Sequence, residues 1–100
     1  MSDPNLYDAH MITGRDSVAT VVRQVSKGSF VRVKGPDAEM SVRAEDDIPA
    51  GHKIALADVL PGAKVLKYGE VIGVATRKIR RGEHVHLHNL DGVRARGDLK

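Results

Sequence analysis

The sequence contains no cysteine, which excludes disulfides, thiolate zinc sites and Cys-ligated iron–sulfur clusters within this chain. Any metal bound here must use histidine or oxygen ligands. Tryptophan is also absent and the aromatic residues are only Tyr7, Phe30 and Tyr68, so the core has to be aliphatic and small. Residues 1–16 are polar and carry Asp3, Asp8 and Asp16; they form neither a leader nor a spanning segment, so no membrane partner is expected and the expected location is cytoplasmic. The formal charge is only +3, with the basic excess in Arg77 to Arg81 and Arg94 to Lys100. Neither aromatic stacking residues nor a groove-reading helix accompanies that charge, so no nucleic-acid partner is expected.

At 100 residues the chain has room for one domain. Val, Ile and Thr are frequent from Ser17 onward, and apolar runs are short and punctuated by Gly or Pro, which favours strands over helices. The expected strands are Val18 to Val22, Phe30 to Lys34, Met40 to Arg43, Lys53 to Leu56, Lys64 to Tyr68, Val71 to Ala75 and His84 to Leu90. Residues before Gly14 show no sustained period and read as a flexible arm or a peripheral strand.

One pattern occurs four times, an aliphatic residue placed three positions before a Gly and another three after it: Val25-Gly28-Val31, Ile48-Gly51-Ile54, Val59-Gly62-Val65 and Ile79-Gly82-Val85. Gly supplies a positive φ, the first aliphatic plugs the core from a turn, and the second starts the next strand inward. Each copy predicts a corner with both aliphatics buried. The unequal spacing of these glycines argues against a solenoid repeat.

Ala50 to Asp58 (AGHKIALAD), Val65 to Gly69 (VLKYG), Ile72 to Ala75 (IGVA) and Ile79 to Asn89 (IRRGEHVHLHN), with the upstream Asp16 to Val22, together resemble the N-terminal domain of the altronate dehydratase family. The ending GEHVHLHN is most similar to the altronate branch. The resemblance covers about residues 16–90, leaving 1–15 as an N-terminal arm and 91–100 as a basic tail. It implies a mainly β SAF domain of the β-clip type with short helical turns at the Gly corners. It also implies loss of water from a sugar acid to give a 2-keto-3-deoxy acid, with a divalent metal such as iron or manganese. In that family a large catalytic region follows the small domain, so the expected partner is a separate large subunit, with the chain inactive alone. The alternatives are a small subunit of another hydroxy-acid lyase, such as sulfolactate sulfo-lyase, and a non-enzymatic SAF ligand- or carbohydrate-binding module.

Within this frame the candidate residues follow from position. Alternation from Glu83 to Leu90 sets His84, His86 and His88 on one face of a strand and Val85, Leu87 and Asn89 on the other. Two imidazoles two residues apart can share an ion, whereas three along one strand are spread too far, so His84 and His86 are the expected metal ligands. A solvated polar face explains the same alternation. His52 and Lys53 follow the Gly51 corner and are expected to be catalytic; an exposed turn is the bland alternative. Lys67 and Tyr68, before Gly69, are expected to bind the substrate carboxylate by charge-assisted hydrogen bonds. Arg77, Lys78, Arg80 and Arg81 read as a basic edge, and Asp46, Asp47 and Asp58 as turn residues.

Overall fold

The computed structural model describes residues 6–92. It contains nine short strands: β1 (Ala9–His10), β2 (Val18–Val21), β3 (Phe30–Lys34), β4 (Glu39–Arg43), β5 (Lys53–Ala55), β6 (Lys64–Lys67), β7 (Glu70–Ala75), β8 (His84–Val85) and β9 (Leu90–Gly92). They form a six-stranded sheet in the order β4-β3-β1-β2-β5-β8 and a three-stranded sheet in the order β6-β7-β9. The fold is mainly β, as expected, and among the described residues no helix is long and apolar enough to cross a membrane.

All four corners form. Gly28, Gly51, Gly62 and Gly82 have φ values of 90°, 85°, 83° and 92°. Each is the third residue of a turn closed by a backbone hydrogen bond: Ser29 to Ser26, His52 to Pro49, Ala63 to Leu60 and Glu83 to Arg80. Only the third residue has positive φ, which is the type II arrangement, and Pro61 occupies the preceding position where its fixed φ fits. The eight flanking aliphatics are all buried, from 0% exposed at Ile48, Ile54, Val65 and Ile79 to 7% at Val59. Spacing alone did not show that the corners associate two by two. Val25 bridges Ile48 and Val59 bridges Ile79, each through a reciprocal pair of backbone bonds of 2.8–2.9 Å. The first pair of corners encloses the β3–β4 hairpin and the second the β6–β7 hairpin, so the domain is built from two similar halves. Each half has its own apolar cluster, one around Val21, Val33, Ile48 and Ile54 and one around Val18, Val65, Ile79 and Val85.

Two expectations about the chain's ends change. Ala9 is completely buried, and β1 lies inside the large sheet, antiparallel to β2 and parallel to β3. The stretch expected as an N-terminal arm thus contributes an interior strand, because a two-residue segment with one aliphatic side chain suffices to fill the gap between two longer strands. At the other end Asp91 and Gly92 belong to β9; the rest of the expected tail, and residues 1–5 of the arm, lie outside the described residues.

The strand expected from His84 to Leu90 also breaks. It ends at Val85, turns over residues 86–89 and restarts as β9 in the other sheet. Asn89, 1% exposed, causes the break. Its side-chain oxygen accepts from the His86 amide at 3.0 Å, its amide group donates to the His84 carbonyl at 2.9 Å, and its own N–H donates to the His86 carbonyl at 3.1 Å. Leu87, expected opposite the histidines with Val85, is instead 81% exposed at the tip of this turn.

Asp16 supplies the other buried polar anchor, 6% exposed. Burial by itself raises its pKa, but hydrogen bonds from Gly69, Thr13 and Tyr68 outweigh that and hold it down at about 2. A depressed carboxyl stabilises the fold above its unfolded value of 3.8 and ceases to do so as pH falls from there through about 2. At about 1.4 kcal/mol per unit, its contribution is on the order of 2 kcal/mol. Asp16→Asn should therefore lower the urea midpoint at pH 6 while narrowing the gap to wild type near pH 2.5. An undiminished gap at pH 2.5 would show that the carboxylate charge is not what stabilises this joint.

Candidate metal and carboxylate site

The pairing of β5 with β8 sets Lys53 opposite Val85 and Ile54 opposite His84. One step outward the same register sets His52 opposite His86. The rings of His52 and His86 accordingly stack at 4.3 Å between centroids and 24° between planes. His84, the diagonal neighbour, brings its Nε2 to 2.9 Å from His52 Nδ1. His52, His84 and His86 each offer a ring nitrogen, and these atoms lie within 4.8 Å of one another. The Asp46 carboxylate fixes the backbone here, accepting from the His84 amide at 3.0 Å.

The electrostatics favour the neutral form of His84 and His86. Burial lowers the pKa of His84, aided by the neighbouring charges of His52, His88 and His86 and opposed by Asp46. Partial desolvation of this exposed ring, then the charges of His52, Lys53 and His88, lower that of His86. Neutral imidazole is the ligating form. A metal–nitrogen bond of roughly 2.1 Å puts adjacent ligand atoms of an octahedral ion about 3 Å apart, so the 2.9 Å separation of His52 and His84 suits a shared cation. It equally suits a hydrogen bond between one donor and one acceptor nitrogen. The set as a whole spans up to 4.8 Å, beyond the roughly 4.2 Å that two such bonds can bridge, so a ring must turn inward for all three to share one divalent ion that retains open positions. His88, expected far from His84 along a continuous strand, is brought back by the Asn89 turn to 5.4 Å between ring centroids. It is exposed and stands outside the group of three.

Lys53 projects from the opposite face of β5, alongside its cross-strand partners Thr20 and Val85. Burial lowers its pKa, and the positive charge of Lys67 lowers it further, against a raising contribution from Tyr68. Lys67 lies with its ammonium 4.1 Å from the centre of the Tyr68 ring. Among the described residues the ion pairs are Arg23–Asp8, Arg32–Glu39 and Arg43–Glu45, so neither lysine has a carboxylate partner. Thr20 Oγ1, beside Lys53 in the sheet, is buried without a hydrogen-bond partner. The two ammonium groups give this edge a positive local potential. The six candidate site residues thus form two groups: three histidines on one face of the β5–β8 edge, and Lys53 on the other face, coupled to Lys67 and Tyr68.

Tyr68 is 54% exposed and is not a core residue. Arg77, Lys78, Arg80 and Arg81 are exposed as expected. Asp47 and Asp58 cap turns, accepting from the amides of Lys27 and Arg81 at 2.8 Å each. The sequence reading missed Asn89 and Asp16. Asn is disfavoured within strands and favoured in turns, so Asn89 carried a usable signal; Asp16 reaches across 53 positions to Gly69 and carried none. A separate surface depression of about 240 Å³, lined by Asp8, Gln24, Val25, Ser26, Ser29, Phe30 and Val31, includes none of the site residues.

Comparison with known proteins bears on this arrangement. The family model described as altronate/galactarate dehydratase SAF domain matches residues 8–92. The chain is 39% identical over 75 residues to the altronate dehydratase of Bacillus subtilis (strain 168), a stretch that covers 75% of this chain and 14% of that protein. It is 37% identical to the galactarate dehydratase (L-threo-forming) of Escherichia coli (strain K12), covering 70% of this chain and 12% of that protein. Against the (2R)-sulfolactate sulfo-lyase subunit alpha of Chromohalobacter salexigens it is 38% identical, covering 75% of this chain and 83% of that subunit. The chain thus spans about one-seventh of the dehydratases it matches but most of a lyase subunit. The identities do not separate the altronate from the sulfolactate branch. The match over 8–92, which takes in β1 and all four corners, places this chain in the altronate/galactarate dehydratase SAF-domain family.

Proposed function

We propose that this chain is the small subunit of a sugar-acid dehydratase of the altronate type, contributing a divalent metal site and a carboxylate-binding edge to a large catalytic partner. The convergence of His52, His84 and His86 within 4.8 Å, in a chain of this family, carries the reading. Dehydration requires removal of a weakly acidic proton beside a carboxylate and departure of a neighbouring hydroxide. A divalent ion such as iron or manganese, when bound, supplies Lewis-acid stabilisation of the negative charge that develops on the substrate oxygens. The three imidazoles would hold it, which gives His52 a ligand's role beside His84 and His86 rather than the catalytic one expected from sequence. Lys67 and the Tyr68 hydroxyl bind the substrate carboxylate. Lys53, whose pKa is pushed down by burial and by Lys67, is placed to exchange a proton with the substrate.

This set is not complete: with Lys67 and Tyr68 engaged by the carboxylate, no second proton-transfer group is assigned beside Lys53 among the described residues, and the partner is expected to provide it. The coverage of 83% of a lyase alpha subunit favours a second reading, a small subunit acting on a sulfonated hydroxy acid. One experiment separates the readings. The chain is purified alone and together with a co-expressed large protein resembling the remaining region of the dehydratases, and both are assayed with altronate, galactarate and sulfolactate. Loss of water from altronate by the pair, with none by the chain alone, is the expected result. Sulfite release from sulfolactate would favour the second reading. Turnover by the chain alone would refute the subunit role, and inactivity of every pair would favour a binding module without enzymatic activity.

A further inference from the structure

Both oxygens of Asp16 are fully engaged. Oδ2 accepts from the amides of Ile12 and Thr13 at 3.1 Å each, and Oδ1 accepts from the Thr13 hydroxyl at 2.8 Å and from the Gly69 amide at 2.9 Å. Gly69 and Tyr68 are the two central residues of the turn that joins β6 to β7, where Lys67 pairs with Glu70. Both have positive φ, 73° at Gly69 and 57° at Tyr68, which makes a type I′ turn. Such a conformation is ordinary for Gly, Asn or Asp and strained for a tyrosine. Among the described residues Tyr68 is the only non-glycine with positive φ. It is 54% exposed, so core packing does not hold it there. Backbone bonds from Gly69 and Tyr68 to Asp16 restrain the turn beyond the hairpin itself.

We propose that Asp16 is a positioning residue of the carboxylate-binding edge: by accepting the Gly69 amide it keeps the Lys67–Tyr68 pair in the strained turn that presents its ammonium and phenol beside Lys53. The inference rests on the substrate role given above to Lys67 and Tyr68. It explains why a tyrosine stands where a glycine or asparagine would fold more easily: local strain persists where the surroundings over-determine it. The Asp16 carboxylate itself does not meet the substrate, since its lone pairs are occupied and it is buried.

The test uses the full chain with D-gluconate as the probe and D-glucitol as the uncharged control, followed by NMR shifts of the Lys67, Tyr68 and Gly69 signals. In wild type the Gly69 amide should exchange slowly and gluconate, not glucitol, should shift these signals. Asp16→Ala should weaken gluconate binding by about tenfold or more, the loss expected when a charge-assisted contact is misplaced. Asp16→Asn, whose side-chain oxygen can still accept the Gly69 N–H, should lose stability yet bind gluconate within about threefold of wild type. A purely structural role for Asp16 predicts that affinity falls with stability in both variants, and that result would overturn the proposal. So would Asp16→Ala binding gluconate within twofold of wild type. Should Asp16→Ala not fold, a rapidly exchanging Gly69 amide in wild type overturns the proposal, and a protected one supports it. Failure of wild type to bind gluconate would instead remove the substrate role of Lys67 and Tyr68, and this inference with it.

Discussion

Gly82→Ala should destabilise the domain by about 3 kcal/mol or more, the sum of a left-handed conformation imposed on alanine and a clash in a packed corner. Gly82 has φ +92°, and an added Cβ would come within 2.1 Å of the Arg43 carbonyl oxygen and 3.2 Å of Glu45 Cγ. The carbonyl cannot swing aside cheaply, because Gly82 is tied into the same junction by bonds from its N–H to the Ala55 carbonyl (2.9 Å) and from the Glu45 N–H to its own carbonyl (2.8 Å). For a domain of this size each 1 kcal/mol moves the thermal midpoint by roughly 4–8 °C, so a fall of more than 12 °C is expected. Gly62→Ala is the control. Gly62 has φ +83° with nothing within 4 Å of its would-be Cβ, so only the conformational cost of about 1 kcal/mol applies. Equal shifts for the two variants in thermal or urea unfolding would show that the Gly82 corner opens freely and that close packing is not what requires glycine there.

Removing any one of His52, His84 or His86 should lower the affinity for a divalent ion by about a hundredfold, since each of three nitrogen ligands carries a comparable share of a binding free energy of several kcal/mol. The measurement is a competition titration with Mn(II) or Co(II) against a chromophoric chelator, on wild type and on the His52→Ala, His84→Ala, His86→Ala and His88→Ala variants. His88→Ala should stay within a few-fold of wild type. Loss of fold is not a confounding outcome for His86, which is exposed, and far-ultraviolet circular dichroism checks the others. Affinity that survives His52→Ala would reduce the site to the His84–His86 pair expected from alternation. Affinity that survives all three would leave this edge as a polar surface and move the metal to the partner.

These expectations differ in how much of their basis was legible before the fold was known. The requirement for glycine at position 82 was visible in the Ile79-Gly82-Val85 pattern, and the positive φ and buried flanks follow directly. That alanine there would strike the Arg43 carbonyl was not visible, because Arg43 reaches the corner only through the pairing of Glu45 with Gly82. The metal site shows the same division. His84 and His86 were read as a pair from a two-residue period, but the strand assumed for them stops after Val85. They share a face as that period requires, the bend held by buried Asn89 follows them, and the third histidine arrives from the residue before β5.

What the amino-acid sequence determined by itself is therefore the set of local commitments. The short Val- and Ile-rich runs are strands, the four glycines are corners, and the motifs around His52, Lys67 and His84 mark the family. These follow from φ preferences and side-chain burial within a few residues, where chain connectivity already holds the interacting groups together. Only the tertiary structure decided which corner bridges which, that Ala9 and His10 insert between β2 and β3, that His52 stands opposite His86, and that Asp16 holds the turn at Tyr68 and Gly69. Each of those depends on the register between segments far apart in sequence. Register is set by the joint burial of both segments' side chains and by satisfaction of their backbone hydrogen bonds, and neither quantity exists until the segments are packed together.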